Sequence, residues 1–248
     1  MASLSLVLPL DDVQATTTFQ RWWATRGEWV EAPNQRREGE SGVQRLLRHE
    51  PAQGVMYCKR QVGHLYRSLR HPFGRPTVLR EQQALKAFAA LGVGVPQVIY
   101  CGAQRDAGQW RALLVTEALQ GFISLDQWYH DDCRQRWGEA VHRQMLESVA
   151  ATLARFHRAR WQHGCCYPKH LFIKVHPDQN QIEVAVLDLE KSRRRLRQAD
   201  ATRHDLRQLN RHRDGMSDED WCRFQAAYTE CFTDFGKPTQ NGTLLTIR

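Results

Sequence analysis

An α+β fold of two lobes is predicted from three observations. Strand-like runs crowd the first half of the 248-residue chain, helical runs fill the second, and no internal repeat links them. Strands first and helices afterwards indicate segregated β and α regions rather than alternating units. The boundary is expected near residues 118–124, giving a strand-rich N-lobe over 1–118 and a helical C-lobe over 119–248. A chain of this length can bury a full core as one domain of two joined lobes. A hydrophobic content of 42% excludes wholesale disorder.

Met1–Leu10 is apolar, lacks the basic start of an export signal and ends at Asp11 and Asp12, so it reads as a first strand. Trp22, Trp23 and Trp29 lie in a short amphipathic stretch expected to pack in the core or at a lobe edge. Gly39 and Gly42 precede alternating residues up to Leu47. Small residues between two strands make a hairpin turn, or let backbone amides approach phosphates. Val55–Lys59 reads as a half-buried strand ending in a lysine. From Thr77 to Leu91, Val78, Leu85, Phe88, Ala89 and Leu91 recur at helical spacing, and Gly92 with Pro96 stops the run. Glu81 falls in the first half of that helix, where it is the natural partner for Lys59. Val95–Cys101 and Trp110–Glu117 read as strands on either side of the turn Asp106-Ala-Gly108.

Ser124–His130 is helical, and Arg134–Arg160 reads as one long helix with Val141, Met145, Val149, Leu153 and Phe156 on one side. Leu171–Val175 and Ile182–Leu187 are strands joined by a turn at Pro177–Asn180. Ala201–His212 and Ser217–Phe232 close the chain as helices. The second is opened by Ser217 with Asp220 three residues on, close to a capping box.

The net charge of +8 bears on partners rather than on fold. Basic residues concentrate in His64–Arg75 and in Lys191–Arg197. Nucleic acid, anionic membrane and phosphorylated substrates each account for such clusters, as does a solvated basic face. No nucleic-acid recognition module is present, so nucleic acid is not expected as a partner. No apolar stretch is long enough to cross a bilayer. Seven scattered cysteines, an odd number without metal-site spacing, fit free thiols in a reducing cytoplasm.

The most informative stretch is His163-Gly-Cys-Cys-Tyr-Pro-Lys-His170, followed by an apolar strand ending in Asp188-Leu-Glu190. Phosphotransferase loops of the form His-x-Asp-x-x-x-x-Asn use the Asp to receive the acceptor hydroxyl's proton and the Asn to hold magnesium. Here the spacing holds, with Cys165 in the Asp place and His170 in the Asn place. Asp188 stands where the main magnesium ligand belongs. A thiol, with a reference pKa near ~8.5, is mostly neutral at pH 7 and a poor base for a sugar hydroxyl. An imidazole is a poor magnesium ligand, because hard cations prefer oxygen.

Trp22-Trp23, Gly39 with Gly42, Tyr57-Cys-Lys59, Pro76 to Leu85, His163-Gly164 with Tyr167-Pro-Lys-His170, Asp188-Leu-Glu190 and His204-Asp205-Leu206 form an ordered set. In that order they resemble the lipopolysaccharide core-kinase family (the Kdo/WaaP group), most closely its InaA-like branch, over nearly the whole chain. The resemblance implies a bilobal protein-kinase-like fold, ATP with magnesium, and a sugar of the lipopolysaccharide inner core as acceptor. It also implies a cytoplasmic protein in peripheral contact with the inner membrane. Lys59 matches the phosphate-binding lysine and Glu81 its helix partner, with Gly39, Gly42 and Glu117 completing the nucleotide site. Asp188 matches the magnesium Asp, with His170 beside it as second metal position. Asp205 matches the Asp that braces the catalytic loop, and His163 is architectural with it.

Lys169, four residues past Cys165, either neutralises the γ-phosphate or is a solvated loop lysine. Arg193, Arg194 and Arg195, just after Asp188, suit the phosphates of an anionic glycolipid or lipid. Three readings follow. An active lipopolysaccharide core-sugar kinase is the first; a pseudokinase that binds nucleotide but transfers nothing is the second, favoured by Cys165 and His170. An aminoglycoside-type phosphotransferase is the third, and it conflicts with the missing acid and the positive charge.

Overall fold

The computed structural model describes residues 17–36, 39–47 and 54–233. The first strand expected at Met1–Leu10 lies outside them. Helix α1 (Thr18–Ala24) opens on a capping box: the Thr17 hydroxyl accepts from the Gln20 amide, and the Gln20 side chain accepts from the Thr17 amide. Strands β1 (Glu28–Arg36), β2 (Gly39–Leu47) and β3 (Val55–Val62) follow. A separate two-stranded hairpin, β4 (Leu65–Ser68) and β5 (His71–Pro76), leads into helix α2 (Thr77–Ala90). Strands β6 (Val98–Asp106) and β7 (Gln109–Glu117) complete an antiparallel sheet of order β1-β2-β3-β7-β6.

The period of two along β3 divides its side chains between two layers. Met56 and Cys58 join Leu46, Leu113 and Val115 in a small cluster capped by Phe19, Trp22, Trp23 and Tyr100. Trp22 stacks on Tyr100 at 5.9 Å, so the tryptophan pair packs at the edge of the lobe as expected. Arg60 also points this way. Its guanidinium donates to the carbonyls of Trp22 (3.1 Å), Trp23 (2.9 Å) and Thr25, and so closes the C-terminal end of α1. Lys59 and Gln61 point to the opposite face, toward α2. There the Gln61 carbonyl oxygen accepts from the Thr77 hydroxyl at 2.9 Å and the Val78 amide at 3.2 Å.

Gly39 and Gly42 lie within β2, not in the turn expected of them. Both are required by close approach of the chain to itself. A Cβ on Gly39 would come within 2.5 Å of the Gly63 backbone, and one on Gly42 within 2.8 Å of the Trp29 ring.

The remainder is mainly helical. Strand β8 (Ile123–Ser124) runs into α3 (Leu125–His130), followed by α4 (Cys133–Trp137) and α5 (Glu139–Arg158). The single long helix expected over Arg134–Arg160 is therefore broken. Gly138 takes φ 84°, a conformation costly for other residues, and its amide ends α4 by donating to the Arg134 carbonyl. Strand β9 (Trp161–Gln162), hairpin β10 (Leu171–His176) and β11 (Gln181–Val186), strand β12 (Arg193–Arg194), and helices α6 (Gln198–Arg211) and α7 (Asp218–Thr233) complete the chain. The apolar side of α5, with Met145, Val149, Leu153 and Phe156 fully buried, forms the main core against α7 and β11. The Phe88 ring of α2 packs at a tilt against Phe156, centroids 4.9 Å apart, so one hydrophobic cluster joins the two halves. All seven cysteines are free thiols. No helix among the described residues is long and apolar enough to cross a membrane.

Candidate active site

Lys59 sits where the sheet, α2 and the segment after β11 converge. Its Nζ lies 2.8 Å from Glu81 Oε2, 3.3 Å from Asp188 Oδ1 and 3.5 Å from Glu190 Oε2. Burial works against the charge on Lys59, but Glu81, Asp188 and Glu190 together outweigh it and hold the ammonium above its usual range. One ammonium cannot fully compensate three carboxylates. Burial pushes Glu81, the innermost, up to about 7 against the opposing pull of Lys59. Burial also acts against ionisation of Asp188 and Glu190, yet both move down. Lys59 and then His170 lower Asp188, whereas a hydrogen bond from His64, and Lys59, bring Glu190 to about 2.

Asp188 follows β11 and adopts a left-handed backbone, φ 57° and ψ 56°, before a single 3₁₀ turn at Leu189–Lys191. An aspartate tolerates this conformation better than most residues. The turn carries Glu190 back toward the N-terminal half. There His64 Nε2 meets Glu190 Oε1 at 3.1 Å, and Arg80 Nε donates to the Glu190 carbonyl at 2.6 Å. His64, Arg80 and the ion pair of Glu190 were not read from the sequence. The signals available were the two acids spaced by one residue after an apolar strand and the arginine adjacent to Glu81.

The loop His163–His170 is held from below by Asp205 on α6. Asp205 accepts from the His163 amide at 2.6 Å and the Gly164 amide at 3.0 Å, and faces His157 Nε2 at 3.1 Å and His204 Nδ1 at 3.0 Å. Burial opposes its charge, but His157 and His204 hold the carboxyl well below the carboxylate range. The Ser192 hydroxyl donates to the His163 carbonyl at 2.8 Å, tying the loop to the segment beyond Asp188. His163 itself is fully buried and stacks parallel to His170, and burial lowers its pKa to about 4. It is a neutral ring within the packing.

Cys165 is buried, and burial, with Asp188 next, raises its pKa; Lys191 opposes both. The group is a neutral thiol. His170 Nδ1 pairs with the Cys165 carbonyl at 2.8 Å, while its Nε2 lies 3.8 Å from Asp188 Oδ2. Lys169, between them in sequence, is exposed. Glu117, half-buried at the end of β7, has its amide on the Gln97 carbonyl at 2.9 Å. Arg193 and Arg194 are exposed on β12, which pairs with β9, and Arg195 is half-buried with its amide on the Arg160 carbonyl. No three ligating side chains among the described residues come together as a metal cage. Asp188 and Glu190 offer hard oxygen donors, which fits magnesium only in its usual form, shared with phosphate oxygens and water.

A strand lysine paired with a helix glutamate, and a left-handed aspartate ending a second strand beside them, define a kinase-like protein with a protein-kinase-like fold. The same fold is present in the structure of WaaP in complex with acyl carrier protein, at a TM-score of 0.61 and 22% identity over 86% of each chain. The sequence profile described as the lipopolysaccharide kinase (Kdo/WaaP) family matches residues 20–228. Protein InaA of Escherichia coli (strain K12) is 43% identical over 210 residues, covering 85% of this chain and 94% of InaA. The chain belongs to the lipopolysaccharide kinase (Kdo/WaaP) family.

Proposed function

We propose that this protein is an ATP- and magnesium-dependent kinase that phosphorylates a sugar of the lipopolysaccharide inner core, acting in the cytoplasm as a peripheral protein of the inner membrane. The observation that carries the reading is the ion pair of Lys59 with Glu81, facing Asp188 across the site. Lys59 would neutralise nucleotide phosphates, Glu81 orients Lys59, and Asp188 with Glu190 would hold magnesium. Gly39, Gly42 and Glu117 would line the nucleotide, and His170 would stand beside the metal. MgATP supplies the phosphoryl group and the cation that offsets charge developing on it. Lys169 is exposed at the loop and free to turn toward a phosphate, and Arg193, Arg194 and Arg195 would meet an anionic acceptor.

Cys165 is the reason for a second reading. A buried neutral thiol in the place of the catalytic acid cannot take a proton from a sugar hydroxyl as a carboxylate does. Transfer through a loose transition state depends more on position and charge neutralisation than on proton removal, so a kinase reading survives that loss. In the alternative, the protein is a pseudokinase that binds nucleotide but transfers nothing. Calorimetry of MgATP binding, followed by labelled-phosphate transfer to extracted core oligosaccharide, separates the two. Binding with transfer supports the kinase, binding without transfer supports the pseudokinase, and absence of binding removes both.

A further inference from the structure

The hairpin β4–β5 carries a basic cluster, within His64–Arg75, to which the proposed nucleotide and acceptor sites assign no role. It leaves the main sheet after β3, and its tip is the two-residue turn Leu69-Arg70, closed by the pair Ser68–His71. Such turns favour Gly, Asn or Asp, whose backbones reach positive φ. Neither Leu69 nor Arg70 takes a positive φ, so Leu69 is not there for the geometry of the turn. Its side chain is fully exposed, at 103%, and Phe73 on β5 is 87% exposed. These are among the most exposed large apolar side chains in the described residues, and they stand together on one small hairpin. Arg67 and Arg70 are exposed beside them, and Arg75 is half-exposed nearer the base.

The base of the hairpin, by contrast, is tied to the site. Arg80 stacks over the Tyr66 ring at 4.5 Å and donates to the Glu190 carbonyl, and His64, just before β4, pairs with Glu190 Oε1. Arg193 lies close enough to Arg80 to repel its charge, which brings the second basic segment alongside. That segment also carries a protruding apolar residue, Leu196, 91% exposed.

We infer that the β4–β5 hairpin is a membrane wedge: Leu69 and Phe73 enter the interface of an anionic phospholipid bilayer while Arg67 and Arg70 hold its headgroups. Charge complementarity selects this occupant, since clustered arginines are attracted to anionic leaflets and aromatic or branched apolar side chains partition into the boundary below. Shape favours the bilayer over a protein. A stable protein interface buries about 800 Å² per partner on a contiguous surface, whereas two side chains projecting from a narrow hairpin offer insertion depth rather than area. The wedge deepens the membrane part of the proposed function and rests on it. Through Arg80 and His64 it would hold Glu190 and Lys59 at a fixed distance from the lipid surface.

The test is sedimentation of the full chain with vesicles of phosphatidylethanolamine and phosphatidylglycerol at 3:1, and with phosphatidylcholine vesicles. Wild type is expected to bind the first and not the second. Leu69→Ser with Phe73→Ser should weaken binding by about 10–100-fold, from the apolar area withdrawn from the bilayer. Arg67→Gln with Arg70→Gln should weaken it at low salt and flatten its salt dependence. All four positions are on the surface, and unchanged thermal melting shows that the variants are folded. Wild-type binding by the apolar double variant overturns the wedge, as does failure of wild type to bind the anionic vesicles. MgATP binding, measured without vesicles, reports separately on the nucleotide site, so loss of one function does not masquerade as loss of the other.

Discussion

Lys59 Nζ and Glu81 Oε2 lie 2.8 Å apart in a site where the glutamate side chain is only 7% exposed. Removing Lys59 leaves the buried Glu81 without its counter-charge, and breaking a buried pair in this way typically costs about 3–5 kcal/mol, whereas replacing both by apolar groups is far less damaging. Lys59→Ala is therefore expected to lower the urea midpoint strongly and to abolish nucleotide binding. Lys59→Met with Glu81→Leu should recover much of the midpoint without restoring binding. Recovery of both properties would show that the pair has no part in the nucleotide site.

Asp188→Asn keeps the shape of the side chain and removes the charged oxygen that magnesium requires. ATP binding in magnesium should fall toward the level seen in chelator, with binding in chelator itself little changed. Equal loss in both conditions would assign Asp188 to holding Lys59 rather than to the metal.

His163 gives a pH dependence with a defined sign. Its pKa falls from 6.5 to about 4, so between these values the folded protein binds fewer protons than the unfolded chain. Stability from this group is complete above pH 6.5 and is lost as pH drops through the window, by roughly 3 kcal/mol in all. Glu81 opposes it: raised from 4.5 to about 7, it contributes stability at low pH that is lost as pH rises toward 7. The contribution of His163 is isolated by comparing His163→Gln with wild type in chemical unfolding at pH 4.5 and pH 7. The variant should lose less stability than wild type on acidification, and identical slopes would remove His163 as the source.

Asp205 supports the loop through charged hydrogen bonds to two successive amides. Asp205→Ala leaves both amides without their acceptor in a buried setting and should cost about 3 kcal/mol or more, given about 1.5–3 kcal/mol for each bond to a charged group. The measurement is the urea midpoint at constant slope.

Cys165→Asp returns a carboxylate to the loop without altering its length. In a working kinase it should preserve or raise transfer, with about 10²–10⁴-fold available where proton removal limits the rate. Cys165→Ala should leave MgATP binding intact and, in a kinase that works by positioning, leave transfer intact too. Loss of transfer in Cys165→Ala with binding retained would make the thiol itself a participant in the chemistry.

The pairing of Lys59 with Glu81 was legible in the sequence because both rest on local periodicity. A period of two aims Lys59 at the face that α2 covers, and helical spacing turns Glu81 inward with Val78 and Leu85. The brace from Asp205 followed from the family resemblance and is present in the geometry. The partners of Glu190 were not legible. His64 is 126 residues away in sequence, and the contact exists only because the 3₁₀ turn after Asp188 meets the base of a hairpin. Gly138 was hidden for the opposite reason, since helical periodicity on both sides of it masks a break made by one backbone angle. Gly39 and Gly42 looked like turn residues because small residues serve turns and tight strand crossings equally.

The clasp around Lys59 has a kinetic consequence. Two of its four members come from the β-rich half and two from the segment beyond β11, so the groups a nucleotide would recruit are already engaged with each other. On the proposed function, an incoming nucleotide would displace Asp188 and Glu190 from the ammonium before using either side. Binding would then behave as an exchange, gated by how often the latch opens. The expected mark in stopped-flow mixing is an observed rate that levels off at high nucleotide concentration, and Glu190→Gln, which loosens the latch, should raise that plateau.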